Sequence, residues 1–308
     1  MENKVNEFIF PAPSFNSDNY NENINCSDNI LIYIPTQRKI KDKNNQEIEE
    51  KIPCIFMKNL HSQNILIIFH CNGVDMFSIQ EIFSYSDLKT KYNMNILIPE
   101  YPGYSLYNNC PTSSEICLEN SLIIYDFILT TNPKLTENNI YVLGRSLGTG
   151  PATYVSSKRK PAATFLISPY TTFGDVAKNR HTKEFYEEVS KHFRSIDYID
   201  KISTPLLIIH GNDDKLINCN SAIKLYEKTN KNIIKDLILL DNMGHNYDFL
   251  FLKNKIIPTI VKFAEKNCPT FKLENIIIDF KKFYFSKNEN KSDNSYELEV
   301  KDDSDSNE

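Results

Sequence analysis

The chain has 308 residues, 41% of them hydrophobic, with a formal net charge of −5, which suits one large domain with tails. A negative chain without a basic stripe has little with which to neutralise phosphates, and this excludes nucleic acid as the main partner. The seven cysteines are scattered and form no Cys-x-x-Cys pair, so neither a disulfide framework nor a zinc site is expected, and a reducing, cytoplasmic setting is.

Residues 1–29 are polar and Asn-rich around Phe8-Ile9-Phe10-Pro11-Ala12-Pro13. They read as an extended lead-in strapped along a domain that spans 30–267. The first residues are too polar for a secretory signal, and no apolar run approaches the length of a membrane span. Ile30–Ile34 and Ile52–Met57 predict strands. The charged stretch Lys39–Lys51 between them reads as a hairpin loop or a poorly paired strand. Asn64–Phe69 is a continuous apolar run, the pattern of a strand buried on both faces. Asn95–Pro99, Asn139–Leu143, Ala163–Ile167, Pro205–Ile209 and Leu237–Leu240 continue the set.

Helix-length segments separate these runs at Val74–Tyr92, Ser113–Thr130, Leu147–Lys158, Asn220–Thr229 and Tyr247–Lys266, and Ser113-Ser114-Glu115 opens one with cap-type residues. Apolar strands alternating with helices predict an α/β fold, a mostly parallel sheet covered on both faces. Ligands then bind at the carboxyl ends of the strands. The stretch between Ile167 and Pro205 is long enough for a small cap and too short for a lid domain. Residues 268–287 read as a C-terminal extension. Residues 288–308, rich in Asp, Glu, Asn and Ser, read as a disordered acidic tail.

One motif carries chemistry. The run from Asn139 to Leu143 drives into Gly144-Arg145-Ser146-Leu147-Gly148, and the residues that follow can begin a helix. Strand, Gly-x-Ser-x-Gly and helix in that order make the nucleophile-elbow pattern. Gly144 and Gly148 remove side-chain bulk on either side of a serine held in a strained conformation. The chain has only 8 Gly, and three of them lie in Gly144 to Gly150. The plain alternative is a strand-to-helix turn whose serine does nothing.

A serine needs a base, and an imidazole needs a carboxylate to hold its tautomer. In this fold the order is Ser, then Asp or Glu, then His. The strand Pro205–Ile209 runs into His210-Gly211-Asn212-Asp213-Asp214, and Leu237–Leu240 runs into Asp241-Asn242-Met243-Gly244-His245. The expected triad is Ser146, Asp214 and His245. Spacing barely separates Asp213 from Asp214, and Asp241 lies too close to His245 along the chain to orient it easily. His61, His181 and His192 read as surface residues. His70 and His210 end apolar strands and are expected to satisfy backbone groups in the turns. An oxyanion hole needs two amides: Leu147, after the nucleophile, and Asn72, in the loop His70-Cys71-Asn72-Gly73. Nothing adjacent to Cys71 suggests an activated thiol. The chemistry calls for no metal or organic cofactor.

These residues resemble the α/β-hydrolases, and within them the ABHD-type protein depalmitoylases and Bem46-like serine hydrolases. The resemblance runs from about Phe8 to Phe263. It rests on Phe10-Pro11-Ala12-Pro13, His70-Cys71-Asn72-Gly73-Val74-Asp75, Glu100-Tyr101-Pro102-Gly103-Tyr104, Gly144 to Pro151, Ile167-Ser168-Pro169, Ile199-Asp200-Lys201-Ile202, His210 to Asp214, and Gly244-His245-Asn246. It implies an α/β-hydrolase fold, selects Asp214 over Asp213, and makes an acylated protein, S-palmitoyl protein first, or a small acyl ester the substrate. A serine aminopeptidase-like peptidase and a catalytically weak binding or scaffold protein are the other readings. The sequence departs from the family in two places. Cys71 stands where the family has glycine, which strains the loop if that position needs a positive φ. The family's N-terminal cysteine cluster, its lipid anchor, is represented by Cys26 alone, so peripheral membrane attachment stays an open expectation.

Overall fold

Runs of five or six apolar residues can be satisfied only in the middle of a sheet covered twice. The computed structural model, which describes residues 2–14, 29–41, 45–59, 62–84, 88, 94–131, 133–178, 181–272, 285–287 and 296–298, places them there. An eight-stranded sheet has the order β1-β2-β4-β3-β5-β6-β7-β8. Its strands are β1 (Asn29–Lys41), β2 (Glu47–Met57), β3 (Asn64–Phe69), β4 (Met94–Pro99), β5 (Ile140–Arg145), β6 (Ala163–Ile167), β7 (Leu206–Gly211) and β8 (Lys235–Leu240). β1 and β2 pair antiparallel, as do β2 and β4; every other pairing is parallel. Alternate side chains of β3 enter opposite halves of the core: Ile65, Ile67 and Phe69 on one face, Leu66 and Ile68 on the other. The helices Ser114–Thr131, Thr149–Lys158 and Asn220–Lys228 cover the first face. Met76–Ser84 and Ile257–Asn267 cover the second.

Several expectations are corrected. Residues Glu2–Ile9 form a helix, not an extended lead-in. Val5 and Ile9, one turn apart, are buried with Phe10, and Phe8 packs edge-on against Phe173, Phe185 and His181. The stretch Lys39–Lys51 is mostly strand. Lys39 faces Glu49, Ile40 faces Ile48 and Lys41 faces Glu47, so opposite charges pair across one face of the hairpin and isoleucines across the other. The helix expected over Val74–Tyr92 is described as Met76–Ser84; the rest of that stretch lies mainly outside the described residues. The last long helix is built from Phe249–Phe251, a π segment Leu252–Ile256 and Ile257–Asn267. In the stretch read as an acidic disordered tail, Tyr296–Leu298 pairs antiparallel with Phe285–Lys287; its apolar-polar-apolar alternation suits a strand, and the remainder lies outside the described residues. His61 and Cys26 do too.

Between β6 and β7 the insertion is small, as expected. It comprises the helices Gly174–Ala177 and Lys183–Val189 and two single 3-10 turns. Tyr170, Phe173, Val189 and Phe193 bury into the first-face core, so the insertion and the N-terminal helix hold each other down.

The topology places the site. β3 lies between β4 and β5, so the chain leaves β3 for one side, returns, and continues on the other. A crevice opens at such a switch point, beyond the carboxyl ends of the strands.

Candidate active site

Ser146 follows β5 at that crevice. Its φ is +50°, in the left-handed region that costs an ordinary residue about 1–3 kcal/mol. A 3-10 turn over Ser146–Gly148 then feeds the helix Thr149–Lys158. The two elbow glycines are there for close approach. A Cβ on Gly148 would lie 2.0 Å from the Phe69 carbonyl oxygen, and one on Gly144 would lie 2.4 Å from the Gly148 carbonyl oxygen. Backbone therefore touches backbone on both sides of the serine. The Tyr170 hydroxyl donates to the Leu147 carbonyl at 2.8 Å, and the Thr149 hydroxyl to the Ser146 carbonyl at 2.7 Å.

Three side chains from three loops meet in a line. The Ser146 Oγ lies 2.9 Å from His245 Nε2, and His245 Nδ1 lies 2.8 Å from Asp214 Oδ2. The Asp214 side chain is fully buried while that of His245 keeps 11% exposure, so the imidazole alone of the pair reaches the crevice. Asp214 Oδ1 accepts from the amides of Leu216 and Ile217 at 2.9 and 2.8 Å, and Oδ2 also faces His210 Nε2 at 3.3 Å. Burial opposes the carboxylate charge, but hydrogen bonds from His210, His245 and the Ile217 amide outweigh it and hold Asp214 well below the usual aspartate range. The rivals sit elsewhere. Asp213 accepts from the Asn242 amide at 3.0 Å, and Asp241 from the Asn212 side chain at 2.6 Å.

The loop after β3 is held by β4 and the turn beyond it. The Tyr101 hydroxyl donates to the His70 carbonyl at 2.7 Å, and the Tyr104 hydroxyl to Asn72 Oδ1 at 2.9 Å. Glu100, 2% exposed, gathers the Met76 and Tyr101 amides, the Ser105 hydroxyl and, at 3.3 Å, His70 Nε2. The loop that carries Asn72 is thus fixed from the far side of β3, and the Asn72 amide donates to no described backbone carbonyl. Cys71 is not among the residues with positive φ, so the expected strain is absent. Its sulfur instead accepts from Arg145 Nη1 at 2.9 Å.

Arg145 is the residue sequence reasoning missed. Its Nη2 donates to the His245 carbonyl at 3.0 Å, and its guanidinium lies 4.5 Å from the Tyr247 ring centroid. One side chain, at the variable position of the elbow, therefore ties together the loops after β3, β5 and β8. His70 and His210 do serve backbone groups, at the carbonyls of Cys71 and Ile217, but each also faces a buried carboxylate. His192, expected on the surface, is half-buried and bonded to the Ser114 hydroxyl at 2.7 Å. Among the described residues no cluster of three His, Cys, Asp or Glu side chains is arranged to hold a metal, and no helix is long and apolar enough to cross a membrane.

No protein-family model matches the chain. Human alpha/beta hydrolase domain-containing protein 17B is 27% identical over 197 residues, 64% of this chain and 65% of that protein. Alpha/beta hydrolase domain-containing protein 17C of Xenopus tropicalis is 28% identical over 194 residues, 63% of this chain and 60% of its own. The chain thus spans slightly less than two thirds of these relatives. A putative alpha/beta hydrolase of Acanthamoeba polyphaga mimivirus is 29% identical over 190 residues, 61% of this chain and 69% of its own. Among solved structures, the GrgF alpha/beta hydrolase from a Penicillium species superposes with a TM-score of 0.57 at 12% identity, over 75% of this chain and 98% of that one. Est1E from Butyrivibrio proteoclasticus, with ferulic acid bound, gives 0.55 at 14%, over 76% and 99%. These likenesses show the α/β-hydrolase fold.

Proposed function

We propose that this member of the α/β-hydrolase superfamily is a serine hydrolase of acyl esters and thioesters, working through Ser146, His245 and Asp214. The observation that carries the reading is the unbroken line of hydrogen bonds from the Ser146 hydroxyl to a buried, firmly ionised carboxylate. In the first half-reaction His245 Nε2 takes the serine proton as Oγ attacks the acyl carbonyl carbon. Asp214 fixes the tautomer and steadies the imidazolium. The amides of Leu147 and Asn72 receive the developing oxyanion, a contribution of about 3–4 kcal/mol per donor in such sites. His245 then returns the proton to the leaving sulfur or oxygen. In the second half-reaction water, activated by the same imidazole, attacks the acyl-serine carbonyl and frees the acid and Ser146. The residues shared with the depalmitoylases put S-palmitoyl protein first among substrates, with small acyl esters beside it. Every step uses groups of this chain and water.

Labelling of the purified protein by a fluorophosphonate probe, abolished in Ser146→Ala, is the expected result. Faster release of palmitate from an S-palmitoyl peptide than from oxygen esters should follow. Faster cleavage of arylamides than of either ester class replaces the reading with a peptidase. A folded wild type that takes no label replaces it with a binding protein.

A further inference from the structure

An ionised carboxylate offers about four lone-pair sites, and each one on Asp214 has a nitrogen within reach. Oδ1 takes the Leu216 and Ile217 amides; Oδ2 takes His245 Nδ1 and has His210 Nε2 beside it at 3.3 Å. That last nitrogen is the one the mechanism does not use. His210 lies near the end of β7, four residues before the acid, and neither side chain of the pair is exposed. Its Nε2 is 2.9 Å from the Ile217 carbonyl oxygen. A carbonyl can only accept, so Nε2 carries the proton. The other ring nitrogen, Nδ1, is buried and has no hydrogen-bond partner among the described residues. A side chain kept for packing alone would not carry that cost, since leucine fills similar space without an idle polar atom.

The backbone around the pair is fixed without it. The Asn212 amide donates to the Leu240 carbonyl at 2.9 Å, and the Asp213 amide to the Met243 carbonyl at 3.2 Å. A Cβ on Gly211 would lie 1.9 Å from the Met243 carbonyl oxygen. The loop of the acid and the loop of the base are therefore joined main chain to main chain. What this leaves free is rotation of the Asp214 carboxylate about its own bond. Two amides pin Oδ1, whereas Oδ2 has the two imidazoles, and one of those must move a proton during turnover.

We infer that His210 is a positioning residue of the triad: its Nε2–H, shared between the Ile217 carbonyl and Asp214 Oδ2, holds that oxygen in line with His245 and Ser146. It also leaves no lone pair of the buried charge bare. The effect on turnover rests on the hydrolase reading; the hydrogen bond does not. His210 is fully buried and reaches the reaction only through Asp214.

The test begins with a measurement that needs no turnover. In full-length protein with isotope-labelled histidine, NMR should find the His210 ring proton on Nε2, its signal identified by its absence from His210→Gln. Asp214→Asn places an amide NH2 where Oδ2 was, because the other position must still accept from the two amides. The His210 signal should then move upfield and exchange faster with water. A proton on Nδ1, or a signal that Asp214→Asn leaves unmoved, would overturn the inference even where the hydrolase reading stands. In His210→Leu, with folding checked by circular dichroism, kcat and the rate of fluorophosphonate labelling should each fall about tenfold, the size of one hydrogen bond. KM should stay within about twofold, because the ring touches no substrate. His210→Gln, which returns an N–H donor of similar reach, should recover most of the loss. A folded Leu variant as fast as wild type, or a Gln variant as slow as Leu, would also overturn the inference. A wild type that takes no label removes the hydrolase reading alone, and the NMR shift still decides for or against the hydrogen bond.

Discussion

Two buried carboxylates, Glu50 and Asp214, meet the same electrostatic problem with opposite consequences. Glu50, 1% exposed on β2, is surrounded by the Arg38 guanidinium, the Thr36 and Tyr107 hydroxyls and the Cys110 thiol. The register shift in β1 between Pro35 and Lys39 brings Thr36 and Arg38 to it, as bulges do when they re-aim side chains. Burial opposes its charge, yet Arg38, Cys110, Tyr107 and Thr36 together lower its pKa to about 2. Asp214 is likewise ionised against burial. The difference lies in the partners: those of Glu50 keep their protons at neutral pH, whereas one partner of Asp214 is an imidazole that touches a hydroxyl on its far side. An ionised buried carboxylate is therefore no mark of catalysis. A titratable relay attached to it is.

The comparison can be broken from both ends. Asp214→Asn keeps the shape of the site and removes the charge that holds the His245 tautomer, so kcat should fall about 10⁴-fold while fluorophosphonate labelling slows and the fold survives. If that variant keeps most of its activity, Asp214 is only a structural carboxylate like Glu50. Glu50→Gln should act the other way. Hydrolysis changes little, but stability drops by on the order of 3 kcal/mol, read as a lower urea midpoint. The sign in acid follows from the lowered value. Stabilisation by Glu50 is complete above about pH 4.5 and is lost as pH falls toward about 2, because the unfolded chain takes up the proton first. Glu50→Gln should remove that part of the acid-unfolding slope. The smallest effect is expected at Cys71→Ser, which retains an acceptor for Arg145 and should change kcat/KM by less than about tenfold; a larger loss would show that the sulfur does more than seat the guanidinium.

The strands, the elbow and the order Ser146, Asp214, His245 were legible because each is a local pattern: an apolar run ending in a turn with a reactive side chain. The choice between Asp213 and Asp214 was not local. It depends on which carboxylate the turn aims at the histidine, and only the resemblance separated them beforehand. Arg145 and Glu100 escaped notice because partners such as His245 for one and His70 for the other lie far away along the chain, although an acidic residue directly after the apolar run of β4 was a signal available to be read. The charged hairpin misled through its composition. Lys39-Ile40-Lys41 and Glu47-Ile48-Glu49 alternate with the period of a strand, and that period outranks charge content. The helix Glu2–Ile9 is too short for periodicity to declare itself, and its stability comes from burying Val5 and Ile9 against the body of the protein.

Tyr170, Arg145 and the contact of Gly148 with the Phe69 carbonyl make the serine turn part of the sheet. The line of hydrogen bonds from Ser146 crosses 99 residues to His245 and returns across 31 to Asp214. Contacts so distant in sequence form late in folding. On the ribosome the elbow emerges long before His245, and until β8 has docked beside β7 nothing brings that imidazole to Ser146. Under the proposed mechanism a nascent chain without β8 cannot hydrolyse, and turnover would report that the last strand of the eight-stranded sheet is in place.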